Sequence, residues 1–352
     1  MTSYARRTED AVEVLARACG LDAGVEVARF VGVRELFGET ALAPGAGQTV
    51  ATAMLERMPA AYELVLTLAN GAPRGFGYLT QGMGRASFPE SLSSLLEHTL
   101  QFHLESRGAL ADAQLTADLF RTAYPDVTRL SDFSPLSQGM LTGIVPRANG
   151  VDVKLYFNTR LDTSVPHRDK VLAMIKLCGA ADVERGAALY DALYNAAADT
   201  TFSGVGVDIA DAAGRVKLYV HTPRASTRMF VSDLIAASLA DASLDAVDTL
   251  LAASDSDAAA TDCEIAFAVR ADSAATLKLT VFYSGKETSI ADGERALDLL
   301  QYWGYPTDSV QALFDALYAP EAQTQLHPLH GLGIELSGAA QPKVNVYAKP
   351  NM

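Results

Sequence analysis

Hydrophobic and polar residues alternate strictly through Arg215-Val216-Lys217-Leu218-Tyr219-Val220. A period of two is that of a β-strand, and it sets Arg215, Lys217 and Tyr219 on one face and Val216, Leu218 and Val220 on the other. Val153-Lys154-Leu155-Tyr156-Phe157 repeats the arrangement. Leu277 to Val281 and Lys343 to Tyr347 repeat it more loosely. Each of these strands follows another strand and a turn signal. Asn70-Gly71 joins 62–68 to 74–79, and Ala148-Asn149-Gly150 joins 139–146 to 151–158. A turn through 211–214 joins 202–209 to 215–222. Asp272-Ser273 lies between 263–269 and 275–283, and Ser337-Gly338 between 329–336 and 342–349. The chain thus predicts five antiparallel hairpins.

Between the hairpins the period lengthens to that of a helix. Residues 8–19 carry Ala11, Val14, Leu15 and Ala18 on one stripe, and further helices are expected at 29–36 and 49–58. Pairs follow at 89–105 with 111–123, 166–178 with 182–197, and 227–240 with 243–253, where Ser243 is a plausible cap. The last pair is 289–302 with 307–318, separated by Gly304-Tyr305-Pro306. The return-strand cations Arg74, Lys154, Lys217, Lys278 and Lys343 recur roughly every 60–80 residues, which is the mark of an internal repeat. Each unit is two helices and a hairpin. Ten antiparallel strands with helices between the hairpins have one economical arrangement: the sheet closes, removing its edges, and the helices wrap it. The expected fold is α+β, a single closed antiparallel barrel of about ten strands from five ααββ repeats. It forms one domain over 1–352, with 1–60 the helical part of the first repeat. A parallel α/β barrel is disfavoured because the strands come as turn-linked pairs.

The 352 residues carry a net charge of −14, with 49% hydrophobic and 20% charged residues. Such a chain buries a core. Its acidity argues against nucleic acid as a partner, because phosphates demand a basic surface. Cys19, Cys178 and Cys263 are odd in number and far apart, so buried thiols are expected rather than disulfides or a metal pair. No apolar segment of membrane-spanning length occurs, and the polar N-terminus lacks a signal-peptide pattern, so a cytoplasmic protein is expected.

In a closed barrel the apolar strand faces meet the helices and the cationic faces line the lumen. Arg74, Lys154, Arg215, Lys217 and Lys278 then surround one chamber. Cations gathered this way repel by on the order of 4 kcal/mol per close pair at intermediate dielectric, and a bound diphosphate offsets the repulsion. No glycine-rich phosphate loop is present. Tyr156, Tyr219 and Tyr347 share the face, and phenol rings stabilise a nearby cation by about 0.5–2 kcal/mol each. A leaving group on lysines beside an aromatic cage suits ionisation of an allylic diphosphate, whose cation must be kept from water. Glu63, in an otherwise apolar strand, is the acid–base candidate. With a two-residue turn at Asn70-Gly71, Thr67 pairs with Arg74 and Glu63 with Tyr78, although Pro73 is placed to disturb that register. Asp255-Ser256-Asp257 and His327-Pro328-Leu329-His330 are weak metal signals, and no metal role is assigned to either. His98 and His103 read simply as helix residues, and Trp303, at a helix end, as a packing residue.

At these residues the chain resembles the aromatic prenyltransferases of the dimethylallyltryptophan synthase type, whose fold is a barrel of ααββ units. The resemblance spans about 60–350. Glu63 followed by Arg74 is similar to the family's catalytic glutamate and first diphosphate arginine. Lys154 with Tyr156, and Arg215, Lys217 and Tyr219, are similar to its next diphosphate and shield positions; Lys278 and Tyr347 are similar to later ones. What this implies is transfer of a dimethylallyl group from dimethylallyl diphosphate to the indole of L-tryptophan or a small tryptophan-derived compound. No cofactor and no obligatory magnesium ion are implied. Thr280 stands where a shield tyrosine is expected, and Gln138 or Thr142 where fungal members place a lysine. A phenol- or peptide-directed enzyme on the same barrel, or a barrel that only binds an anionic ligand, are the alternatives.

Overall fold

A computed structural model of the chain describes residues 4–37, 62–80, 88–107, 110–127, 139–179, 183–195, 201–209, 215–236, 240–241, 244–253, 262–269, 275–282, 290–318, 327–336 and 341–349. The elements run α1 (Tyr4–Ala18), α2 (Ala23–Phe37), β1 (Tyr62–Ala69), β2 (Ala72–Thr80), α3 (Phe88–Arg107), α4 (Leu110–Ala123), β3 (Met140–Arg147) and β4 (Gly150–Phe157). They continue α5 (His167–Leu177), α6 (Val183–Asn195), β5 (Thr201–Asp208), β6 (Arg215–Pro223), α7 (Arg224–Ala236), β7 (Ala240–Asp241), α8 (Leu244–Ala253), β8 (Asp262–Val269) and β9 (Ala275–Phe282). The last are α9 (Ile290–Tyr302), α10 (Asp308–Leu317), β10 (Leu329–Glu335) and β11 (Val344–Ala348). The helix expected at 49–58, the cap Ser243 and Asp255-Ser256-Asp257 lie outside the described residues.

All five hairpins form, and they close into a ring. Each pairs with the next, and β11 returns to β1 through Leu64↔Ala348 to Leu68↔Val344. Every junction among these ten strands is antiparallel. The short β7 lies outside the ring, parallel to the start of β9. Asn70 and Gly71 both adopt positive φ, 51° and 73°, as a two-residue hairpin turn with matching twist requires.

The apolar strand faces supply the core. Val216, Leu218 and Val220 are 0–1% exposed, and Val153, Leu155, Leu277, Leu279 and Ile334 are equally buried. They join residues of the surrounding helices in one continuous cluster. Burying each such side chain stabilises by about 1.5–3 kcal/mol, so the wall holds its curvature by helix packing while its inner face stays available to polar groups. The helix α1 packs on both α2 and α10, closing the helical ring as β1 and β11 close the sheet. No described helix is long and apolar enough to cross a membrane. The three cysteines form no disulfide; burial pushes the thiol of Cys19 up to about 11 and that of Cys178 to about 12. His98 and His103 both lie on α3, where His98 packs on Phe37 and His103 contacts Thr116, and Trp303 is buried at the end of α9.

One register differs from expectation. The turn at Asn70-Gly71 has two residues, and Leu68 pairs with Pro73, but Thr67 pairs with Gly75. Arg74 is therefore an extra residue in a bulge, and Glu63 faces Leu79 rather than Tyr78. Proline offers no N–H to the ladder, and an adjacent bulge is a usual accommodation. Tyr78 turns outward, buried with its ring 5.2 Å from that of Phe30.

Candidate active site

The inner face of each strand follows from the register. Along β4 it carries Asp152, Lys154 and Tyr156, and along β6 Arg215, Lys217, Tyr219 and His221. Lys278, Thr280 and Phe282 represent β9, with Glu335 on β10 and Asn345 and Tyr347 on β11. The facing positions of the outgoing strands are small. Gly143 pairs with Lys154, Gly206 with Lys217, Ala268 with Lys217, Ala266 with Tyr219, and Gly333 with Thr280. These residues make room. A Cβ on Gly206 would lie 2.8 Å from the Tyr219 ring, one on Gly143 would lie 3.3 Å from Cβ of Lys154, and one on Gly333 would lie 2.8 Å from Cε of Lys278. Large side chains from return strands thus lean across glycine and alanine floors.

Lys154, Arg215, Lys217 and Lys278 are brought together, each within electrostatic reach of others in the set. Lys343 joins them from the far side of the barrel. Arg74 does not. It is exposed on its bulge, and its Nε donates to the carbonyl oxygen of Ala69 at 3.1 Å. Nor do the cations stand without counter-charge. Asp208 Oδ1 lies 3.2 Å from Lys217 Nζ, and Oδ2 lies 3.7 Å from an Arg215 nitrogen. Glu335 lies 3.4 Å from Lys343. Burial pushes Lys217 down to about 7 and Lys278 to about 8, against the pull of Asp208 on the first and Glu264 on the second. Lys154 is lowered for the same reason, with Asp208 opposing and the neighbouring cations adding. Burial alone would raise Asp208, but Lys217, Lys154 and Arg215 together bring it below the usual range.

The tyrosines form a tier beside the cations. The rings of Tyr156 and Tyr219 lie 5.7 Å apart, tilted by 59°, with their side chains hydrogen-bonded. Tyr347 stands 5.7 Å from Phe282. Lys278 donates to the Tyr347 hydroxyl, and its Nζ sits 4.7 Å from the ring centroid. Burial raises all three phenols well above their ordinary range, so they stay neutral. Thr280, where a ring is expected, bonds Tyr347 instead. Thr142, the expected lysine position, faces outward and bonds Thr99 at 3.0 Å; Gln138 lies outside the described residues.

Glu63 faces the lumen, 9% exposed. Its Oε2 lies 3.2 Å from Lys349 Nζ and 3.2 Å from His330 Nε2, and those two nitrogens are 3.0 Å apart. A register shift between Leu329 and Gly331 makes His330 the extra residue that reaches this group. Burial lowers His330 to about 4, with Glu63 opposing and Lys349 reinforcing, so the ring is neutral and able to accept from the lysine. His327 diverges, packing on Phe314 with centroids 4.5 Å apart, and no group of three metal-ligating acids, histidines or cysteines occurs among the described residues.

Sequence reasoning missed Asp208, Glu264, Glu335, His330, Lys349 and Phe282. One available signal was Gly-x-Gly or Ala-x-Ala on the outgoing strands, at Gly204/Gly206, Ala266/Ala268 and Gly331/Gly333.

A closed ring of ααββ units with a charged, tyrosine-lined lumen defines the architectural class, and solved structures share it. The 5-dimethylallyltryptophan synthase from Streptomyces coelicolor superposes with a TM-score of 0.67 at 14% identity, over 99% of this chain and 98% of that one. The 6-dimethylallyltryptophan synthase from Micromonospora olivasterospora, solved in complex with DMASPP and Trp, gives 0.68 at 14% identity over 99% and 97%. AnaPT from Neosartorya fischeri gives 0.73 at 12% identity over 98% and 94%. No family model matches the sequence, and no curated protein matches it. The likeness is one of fold.

Proposed function

We propose that the chain is an aromatic prenyltransferase that moves a dimethylallyl group from dimethylallyl diphosphate to an indole, that of L-tryptophan or a small tryptophan-derived compound. One observation carries the reading: Lys154, Arg215, Lys217 and Lys278 converge on one chamber with Tyr156, Tyr219 and Tyr347 directly beside them. The fold shared with enzymes that act on tryptophan supports it.

The lysines and Arg215 hold the diphosphate, with Lys343 assisting; Arg74, on its bulge, is left out of this set. The C1–O bond breaks, and diphosphate departs with the electron pair. The ammonium and guanidinium groups neutralise it, which is the part a magnesium ion plays elsewhere, so no obligatory metal is expected. The three tyrosines flank the allylic cation and exclude water. The indole attacks, forming the new bond to carbon or nitrogen, and the proton released goes to Glu63. Lys349 donates to Oε2, and the His330 ring stands beside the same oxygen, so Oε1 is the atom offered to the acceptor. Incubation with dimethylallyl diphosphate and L-tryptophan or close indole analogues, in EDTA, is expected to release diphosphate and give a prenylated indole. Donor binding without product from any arene would favour a non-catalytic barrel instead.

A further inference from the structure

Glu264 has no part in that mechanism, and its position is informative. Along β6 the inner face runs from the hairpin end as Arg215, Lys217, Tyr219, His221. Glu264 on β8 pairs with His221, beyond the tyrosines, and across β9 with Thr280. The tyrosine tier thus separates Glu264 from Arg215 and Lys217. Its one ion pair among the described residues is with His221 Nε2, long at 3.5 Å, and that imidazole is 41% exposed. The flanking inner positions are small, Ala266 opposite Lys278 and Thr280 where a ring is expected. Lys278, one inward position along β9, also attracts this carboxylate, but no hydrogen bond joins the two, and a largely buried carboxylate with only a long contact is costly until a donor reaches it. The prenyl diphosphate cannot be that donor, being itself an anion. What occupies the chamber beyond the tyrosines is the arene acceptor.

We infer that Glu264 binds an ammonium group on the acceptor, so that the substrate is an indole bearing a side-chain amine. This rests on the chamber being the site of prenyl transfer. The acceptor's N–H donors meet Glu264 while its ring lies against the tyrosine tier, and an acceptor carrying only a carboxylate is repelled by Glu264 and Glu63 together. His221 pairs with Glu264 when the amine is absent and is displaced by it.

The test is calorimetric binding of tryptamine, L-tryptophan and indole-3-propionate to the protein saturated with inorganic diphosphate, alongside turnover with dimethylallyl diphosphate. Tryptamine is expected to bind at least ~10-fold more tightly than indole-3-propionate, with tryptophan between them. Glu264→Gln should weaken tryptamine by about 10- to 100-fold, the size of a lost charge-assisted hydrogen bond. Glu264→Lys should invert the preference toward the propionate. The far-ultraviolet circular dichroism and melting temperature of both variants report that the barrel is intact. Equal binding of amine and propionate, or a Glu264→Gln loss common to both, overturns the inference. Amine preference without turnover would uphold it and count only against the transferase reading.

Discussion

A methyl group on Gly206 would lie 2.8 Å from Cε2 of Tyr219 and 3.2 Å from its hydroxyl oxygen. The same position would crowd Tyr156 at 3.3 Å. Gly206 is therefore the floor on which two of the shielding rings rest. Gly206→Ala should displace both rings while leaving the outward core intact. We expect kcat to fall roughly 10- to 100-fold, the scale of a small misplacement in a site. The share of donor lost to hydrolysis should rise, as measured by the ratio of diphosphate released to prenylated product. An unchanged ratio would remove the tyrosines from water exclusion.

Proton uptake should accompany donor binding. Burial holds Lys217 near 7 and Lys278 near 8 in the protein alone. At pH 8 Lys217 is thus largely an amine, and an arriving diphosphate favours the ammonium. Binding then takes up protons, and affinity falls as pH rises through this range. Calorimetry at pH 8 in buffers of different ionisation enthalpy should report uptake, absent near pH 6 and reduced in Lys217→Met. Zero uptake at pH 8 would contradict this charge state.

Lys217 and Leu218 are neighbours with opposite duties. Combined Arg215→Gln and Lys217→Met should raise the donor KM by at least ~100-fold, since two charge-assisted contacts are lost, and should lower the melting temperature modestly, since Asp208 keeps only Lys154 as a neighbouring cation. Leu218 is fully buried against the helices. Leu218→Ala should cost about 2–5 kcal/mol of stability, measured by denaturant titration, with donor KM near that of the parent. A double variant that unfolds would show that the inner face carries stability as well.

Glu63→Gln should lower kcat by about 10²- to 10⁴-fold, as loss of a general base does, with donor affinity nearly unchanged. Lys349→Met should have a smaller effect in the same direction, because it loosens the carboxylate without removing it. Full activity of Glu63→Gln in single-turnover kinetics would assign the proton to another acceptor.

The sequence by itself determined the barrel. Periods of two and of 3.6 residues alternate five times, turn chemistry marks every hairpin, and ten antiparallel strands shed their edges by closing. Strand parity also fixed that Lys154, Arg215, Lys217, Lys278 and the three tyrosines face inward, because one residue decides the face of its whole strand. Parity holds only where the register is regular. At the bulges the tertiary structure decided, sending Arg74 out to solvent and bringing His330 to Glu63. It also decided the pairings between hairpins, bringing Glu264 to His221 and Glu63 to Lys349, whereas Asp208 and Glu335 find their cations within their own hairpins. Local pattern specifies which way a side chain points, and only closure of the ring specifies what it meets across hairpins.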